Sequence, residues 1–241
     1  MFSLEHFIWI GICVLMVGGL LWLSLRGRWS RRKASTVMAV IAAASELCKI
    51  FTHIQPAAGG GGVVEPGALP LHLCSILIFL VFFCAVSRDE HRVGMVASFC
   101  TPIAIWGGVL AILMATSGVD FTEPYAYQCF LYHAGLVWWA VHMICMGQVE
   151  LGRAAYVRNL GVLAGLLVVM LWVNSALSVY DTNFFYVVRP PVKGLPLLNL
   201  DHGWYVYFIT LVVLGLTALT SVHLPAMLRQ RRGRTEKVGG K

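Results

Sequence analysis

Charge is scarce in this 241-residue sequence: Asp, Glu, Lys and Arg make up 12%, against 59% hydrophobic residues. With a mean hydropathy of +0.77, an ordinary soluble globular domain is excluded. The short alternating apolar and polar runs of a membrane β-barrel are missing too. No Cys-x-x-Cys pair occurs among the seven cysteines, so neither a secreted disulfide framework nor a Cys-paired metal site is indicated. No apolar segment carries His-x-x-x-His, the spacing that puts two ligands on one helix face. The last apolar segment has no lysine, which argues against retinal binding. The first lacks a basic flank before it and has a basic run after it, so it reads as a retained span rather than a cleaved signal.

What is present is a series of apolar runs, each long enough to cross a bilayer, which takes ~20 residues. They fall at roughly 6–25, 34–53, 70–87, 93–115, 126–147, 158–180 and 204–226. A segment in hydrocarbon must satisfy its own backbone, so these predict helices. The expected fold is an all-α polytopic membrane bundle of seven transmembrane helices, with residues 1–228 as its one domain. Fifteen of the eighteen Lys and Arg residues lie in alternate gaps, at 26–33, 88–92, 153–158 and 229–241. Cytoplasmic loops collect such residues, so the amino terminus is expected outside and the carboxy terminus in the cytoplasm of a cell or bacterial inner membrane. The net charge of +7 then reads as a topology signal rather than a nucleic-acid patch. The basic tail 229–241 is expected to be disordered beside anionic headgroups. The run Gly59–Gly62 reads as a mobile linker; a phosphate cradle would need a preceding strand, and none is expected.

Several polar residues fall at one depth near the outer face: His6, Glu46, Lys49, His72, Cys74, His133 and Asn183, with Gln128 just above His133. Ionisable groups at depth cost ~3 kcal/mol on insertion scales and face the bundle interior. Glu46 and Lys49 are three apart, in the order that favours pairing on one helix face. They could be a self-neutralised packing device or could charge a cavity. Pro70 suits a first helical turn, so the third helix is expected to start there, with Cys74 ~6 Å below its start. The positive end of a helix favours a negative sulfur, although a buried inert cysteine is the commoner case. His72 is two residues from Cys74 and projects to another face. It is thus a poor base for that sulfur but can line the same pocket. His133 is expected ~10 Å deep, near Cys74 if spans 3 and 5 pack together. A thiol beside an imidazole is the minimum unit of nucleophilic acyl chemistry, yet a lone intramembrane histidine can also be a helix–helix hydrogen bond. His142 and His223 lie toward the inner side and read as unrelated to this site.

The pieces Leu69-Pro70-Leu71-His72-Leu73-Cys74, Phe2 to His6, Glu46 to Lys49, Phe130 to His133, and Asn183 with Arg189-Pro190 occur in order along nearly the whole chain. In this the sequence resembles the YwaF-like, or transmembrane protein 164, family of integral membrane proteins. That resemblance implies a compact bundle of six or seven helices and, by its animal member, lipid acyl transfer with Cys74 as nucleophile and His133 as its histidine. Departures are Phe184 after Asn183, the Gly-rich insertion before Leu69, and Cys129. The leading expectation is a cysteine-dependent acyltransferase or acyl hydrolase acting on a phospholipid or lyso-phospholipid, with no cofactor. His72 or Asn183 would steady the oxyanion, and Glu46, Lys49, His6 and Gln128 would support the site. The alternative is a non-enzymatic binding or transport protein using Glu46, Lys49, His6 and His133. A metal-dependent hydrolase with His6, His72 and His133 as ligands is the third, and weakest, reading.

Overall fold

The computed structural model describes residues 2–56, 61–115, 117–192, 194–195 and 198–239. Among them are seven α-helices: α1 (Leu4–Arg26), α2 (Arg31–Thr52), α3 (Leu73–Val86), α4 (Glu90–Met114), α5 (Pro124–Cys145), α6 (Arg153–Ala176) and α7 (Trp204–Gly239). Local chemistry sets their starts. The side chains of Ser3, Ser30 and Asp89 each accept from a backbone N–H of the first turn, opening α1, α2 and α4, as N-cap residues do. Pro124 occupies the first turn of α5, where its missing N–H costs nothing. Just before it, the amide and hydroxyl of Thr122 both donate to Asp120 and hold that carboxyl below the usual carboxylate range.

Five helices are long and apolar enough to cross a membrane: α1, α2, α4, α6 and, over Trp204–Arg231, α7. The other two differ for separate reasons. With 22 residues, α5 has the length, but its surface is interrupted by Gln128, His133 and His142. It can afford these because it is the buried helix of the bundle, facing α1, α2 and α4 rather than lipid. α3 has only 14 residues, about 21 Å of helix against the ~30 Å of a bilayer core.

The expected start of the third helix at Pro70 is corrected. Pro66–Ala68 forms a 3₁₀ turn, the chain stays irregular through Pro70, and His72 is the N-cap of α3. A proline offers no N–H to a helix, but nothing requires a helix to begin at one. The expectation of no strand before the glycine run is also corrected, since Ile54–Pro56 (β1) pairs antiparallel with Gly62–Val64 (β2). Of that run, Gly59 and Gly60 lie outside the described residues. At the other end, the bounds of α7 run on to Gly239, past the expected start of the basic tail at Arg229.

The main core lies where α2, α3, α4 and α5 meet, around Met38, Leu77, Val93, Leu136 and Trp139. Buried indoles satisfy their N–H groups across helices, Trp138 on Ser24 and Trp139 on Ser35. α1 packs on α5 through Trp9 and Phe130, whose rings stack at 4.7 Å. α6 and α7 sit more loosely at the side, joined to the rest partly through Phe184, Phe185 and Val187 of the connection between them.

Candidate functional site

The polar end of a cavity between the helices is built from three of them. Glu46 and Lys49 come from successive turns of α2, Cys74 and Ser75 from the first turn of α3, and Gln128, Cys129, Tyr132 and His133 from one stretch of α5. Lys49 and Glu46 pair at 2.8 Å, off the line of a good hydrogen bond. Lys49 also donates to Ser75 Oγ at 3.3 Å, so its buried ammonium ties α2 to the start of α3. Breaking such a pair leaves one charge uncompensated, at a cost of about 3–5 kcal/mol. Glu46→Gln alone should therefore lower the melting temperature more than Glu46→Gln combined with Lys49→Met. A single variant as stable as the double one would show that the pair carries no buried charge.

Cys74 is the second residue of α3. The first α3 bond is Ile76 N–H to His72 O at 2.9 Å, so the amides of Leu73, Cys74 and Ser75 have no acceptor within the helix. Tyr132 donates to the Cys74 carbonyl at 2.6 Å, docking α5 on this turn. One residue on, His133 Nδ1 lies 2.7 Å from the Cys129 carbonyl and 3.7 Å from the Cys129 sulfur. A carbonyl only accepts, so Nδ1 carries the proton and the neutral ring keeps its lone pair on Nε2. Cys74 lines the same cavity as this ring. His72 lines the same cavity, packed against Phe184 and Tyr186 at 5.3 and 5.2 Å between ring centres.

These groups line one end of a cavity of about 430 Å³. Most of its remaining wall is hydrocarbon from α4, α6 and α7, including Ile103, Leu163, Leu167 and Leu216, and it reaches down to Asn159. Two expected members stand apart. His6 is buried between Phe2 and the Ile112 carbonyl, to which its Nε2 is bonded at 2.8 Å, and does not line the cavity. Asn183 spends both ends of its amide on the backbone of Val188 and Arg189. It shapes the segment above the cavity and does not reach in.

That segment carries a cluster of left-handed non-glycine residues: Asp181, Phe185 and Tyr186, at φ 54°, 59° and 54°. Such conformations cost of order 1–3 kcal/mol each and persist only where the surroundings hold them. The holders here are Asn174, bonded to both the N–H and the carbonyl of Phe184; Arg189, clamped on Asp181; and Tyr207, which donates to the Tyr186 carbonyl. Phe185 and Tyr186 thereby form part of the cavity lining.

A family model, the TMEM164 family, matches residues 1–222. The chain belongs to the TMEM164 family. No match is found among curated proteins or among solved structures. Family membership and the apolar helices make this TMEM164-family chain an integral membrane protein.

Sequence reasoning missed Ser75, Tyr132 and Tyr186 as parts of the site. Ser75 and Tyr132 are neighbours in sequence of residues it singled out, which was the available signal. Tyr186 had none, because its place depends on how the α6–α7 connection folds back. His223, read as unrelated, is bonded at 3.2 Å to Asn159 at the far end of the cavity. No group of three or more His, Cys, Asp or Glu side chains able to hold a metal ion occurs among the described residues.

Proposed function

We propose that this protein is a membrane acyltransferase or acyl hydrolase that works on phospholipids through Cys74 and His133. All seven apolar segments would span the membrane, α3 together with the irregular stretch before it, with the polar end of the cavity toward the outer leaflet. The observation that carries the proposal is the shape of the cavity: a thiol and an imidazole at a polar end that continues directly into a hydrocarbon-lined chamber. That is the form of an amphiphile with its ester at the head.

In this reading His133 Nε2 takes the Cys74 thiol proton, and the sulfur attacks the ester carbonyl. The tetrahedral intermediate collapses to a Cys74 thioester, and the leaving alcohol recovers the proton from His133. The developing oxyanion would find donors in the unpaired amides of the first turn of α3, with the helix dipole behind them. Lys49, held by Glu46 and Ser75, adds positive charge beside that turn. A lyso-phospholipid acceptor makes the second step transfer, and water makes it hydrolysis.

The test is release or transfer of a labelled acyl chain from phospholipid by purified protein in lipid nanodiscs. Cys74→Ala should abolish it with helical content unchanged, and an equally active variant would remove the reading. A liposome flux of polar solute lost in Glu46→Gln but kept in Cys74→Ala would instead favour transport.

A further inference from the structure

The cavity has a side opening. Of the residues lining it, Trp106 and Leu110 on α4 are each 41% exposed, and Leu214 on α7 is 37% exposed. Gly107 lines the same stretch and is exposed as well. Residues that face both a chamber and the outside mark the place where the chamber opens. The spacing agrees: Ile103, Gly107, Leu110 and Met114 form one stripe of α4, and Leu211, Leu214, Gly215 and Ala218 form one stripe of α7, at the three- and four-residue intervals of a helix face. The stripes contain no charged and no hydrogen-bonding side chain, so this opening suits hydrocarbon and not water. At its inner end the gap is closed, because Trp106 Nε1 donates to Ser221 Oγ at 2.8 Å across the two helices.

Two glycines stand on either side of the gap. A Cβ at Gly215 would meet nothing within 4 Å, and one at Gly107 only Ile103 Cγ2, at 4.0 Å. Neither glycine is there to permit close backbone packing. What their missing side chains leave is open space.

We propose that Gly107 and Gly215 keep a lateral entrance open between α4 and α7, through which the hydrocarbon chain of a bilayer lipid passes sideways into the chamber while its polar end reaches Cys74. Trp106 and Ser221 form the sill of this entrance. The inference extends the function proposed above by giving the route of its substrate.

The test avoids the acyl chemistry. Protein in phosphatidylcholine nanodiscs is treated with a maleimide bearing a long alkyl chain, or with N-ethylmaleimide, and alkylation of the Cys74 peptide is followed by mass spectrometry. In both cases the sulfur adds to one alkene carbon and its proton ends on the other. Gly215→Trp should slow the long-chain reagent at Cys74 by about tenfold or more by filling the gap. N-ethylmaleimide, small enough to use the polar mouth, should react within about twofold of wild type, a difference of under 1 kcal/mol. Gly107→Trp should do the same from the other wall. Gly165→Trp, at a position where an added Cβ also meets nothing within 4 Å but which is not among the cavity residues, should change neither rate. Unchanged long-chain labelling in both gap variants would overturn the proposal, and so would an equal loss of both reagents. Because alkylation needs no turnover, the entrance can fail while the acyl chemistry stands, and the reverse.

Discussion

His133→Gln should reduce acyl release from phospholipid by about 10²–10⁴-fold, the usual contribution of a positioned general base. The ring's fixed bond is Nδ1–H to the Cys129 carbonyl at 2.7 Å, a local contact one helical turn back. An amide can restore that bond from the same place. The stability change should therefore stay near the ~1 kcal/mol of a single hydrogen bond, and the melting curve should move little. On the mechanism proposed above, what the amide lacks is a basic lone pair at Nε2 to take the Cys74 thiol proton. Initial rates and melting temperature measured on the same preparation separate the two effects. A rate within a few-fold of wild type would leave His133 with a packing role only.

Gly108→Leu should be the most damaging single change in the membrane domain. A Cβ at this buried position would lie 2.7 Å from Val137 Cγ2 and 3.0 Å from the carbonyl oxygen of His133. The second neighbour is backbone and cannot move aside, so α4 would have to leave α5 at the level of the imidazole. Overpacking of this kind costs about 1–3 kcal/mol, occasionally more, and it falls on the most extensively packed helix pair in the bundle. The expected result is poor yield of folded protein, with whatever remains having lost acyl release. Gly107→Leu, one residue away but facing open space, should fold normally. If both variants melted together with wild type, the α4–α5 packing described above would be wrong.

The helices were legible in sequence because bilayer thickness imposes a length on apolar segments, and all seven starts lie within five residues of the expected ones. The three-residue difference at α3 is instructive. The apolar run 70–87 looks like one helix, but α3 begins at Leu73. Hydropathy does not register that Leu69 to Leu71 stay irregular, and that irregularity puts Cys74 in the first turn. Glu46 with Lys49 was legible for the opposite reason: an i,i+3 acid–base pair is settled by helix geometry alone, and the two do pair. His6 and Asn183 shared the expected depth of the site but not its azimuth. Depth follows from position along a span, whereas azimuth depends on which helices become neighbours. His6 faces Ile112 and Phe130, away from the cavity. The α6–α7 connection was the least legible part, because its conformation rests on Asn174, Arg189 and Tyr207, residues whose partners lie 8 to 21 positions away.

The account stands on the Cys74 sulfur being the atom that accepts the acyl group. Its most direct test is to incubate the purified protein in nanodiscs with isotopically labelled phospholipid, quench in acid and map hydroxylamine-labile acyl adducts by peptide mass spectrometry. An adduct on the peptide containing Cys74, nearly absent in His133→Gln, is the predicted result. Acyl turnover with no adduct at Cys74, or an adduct only on another of the seven cysteines, would contradict it.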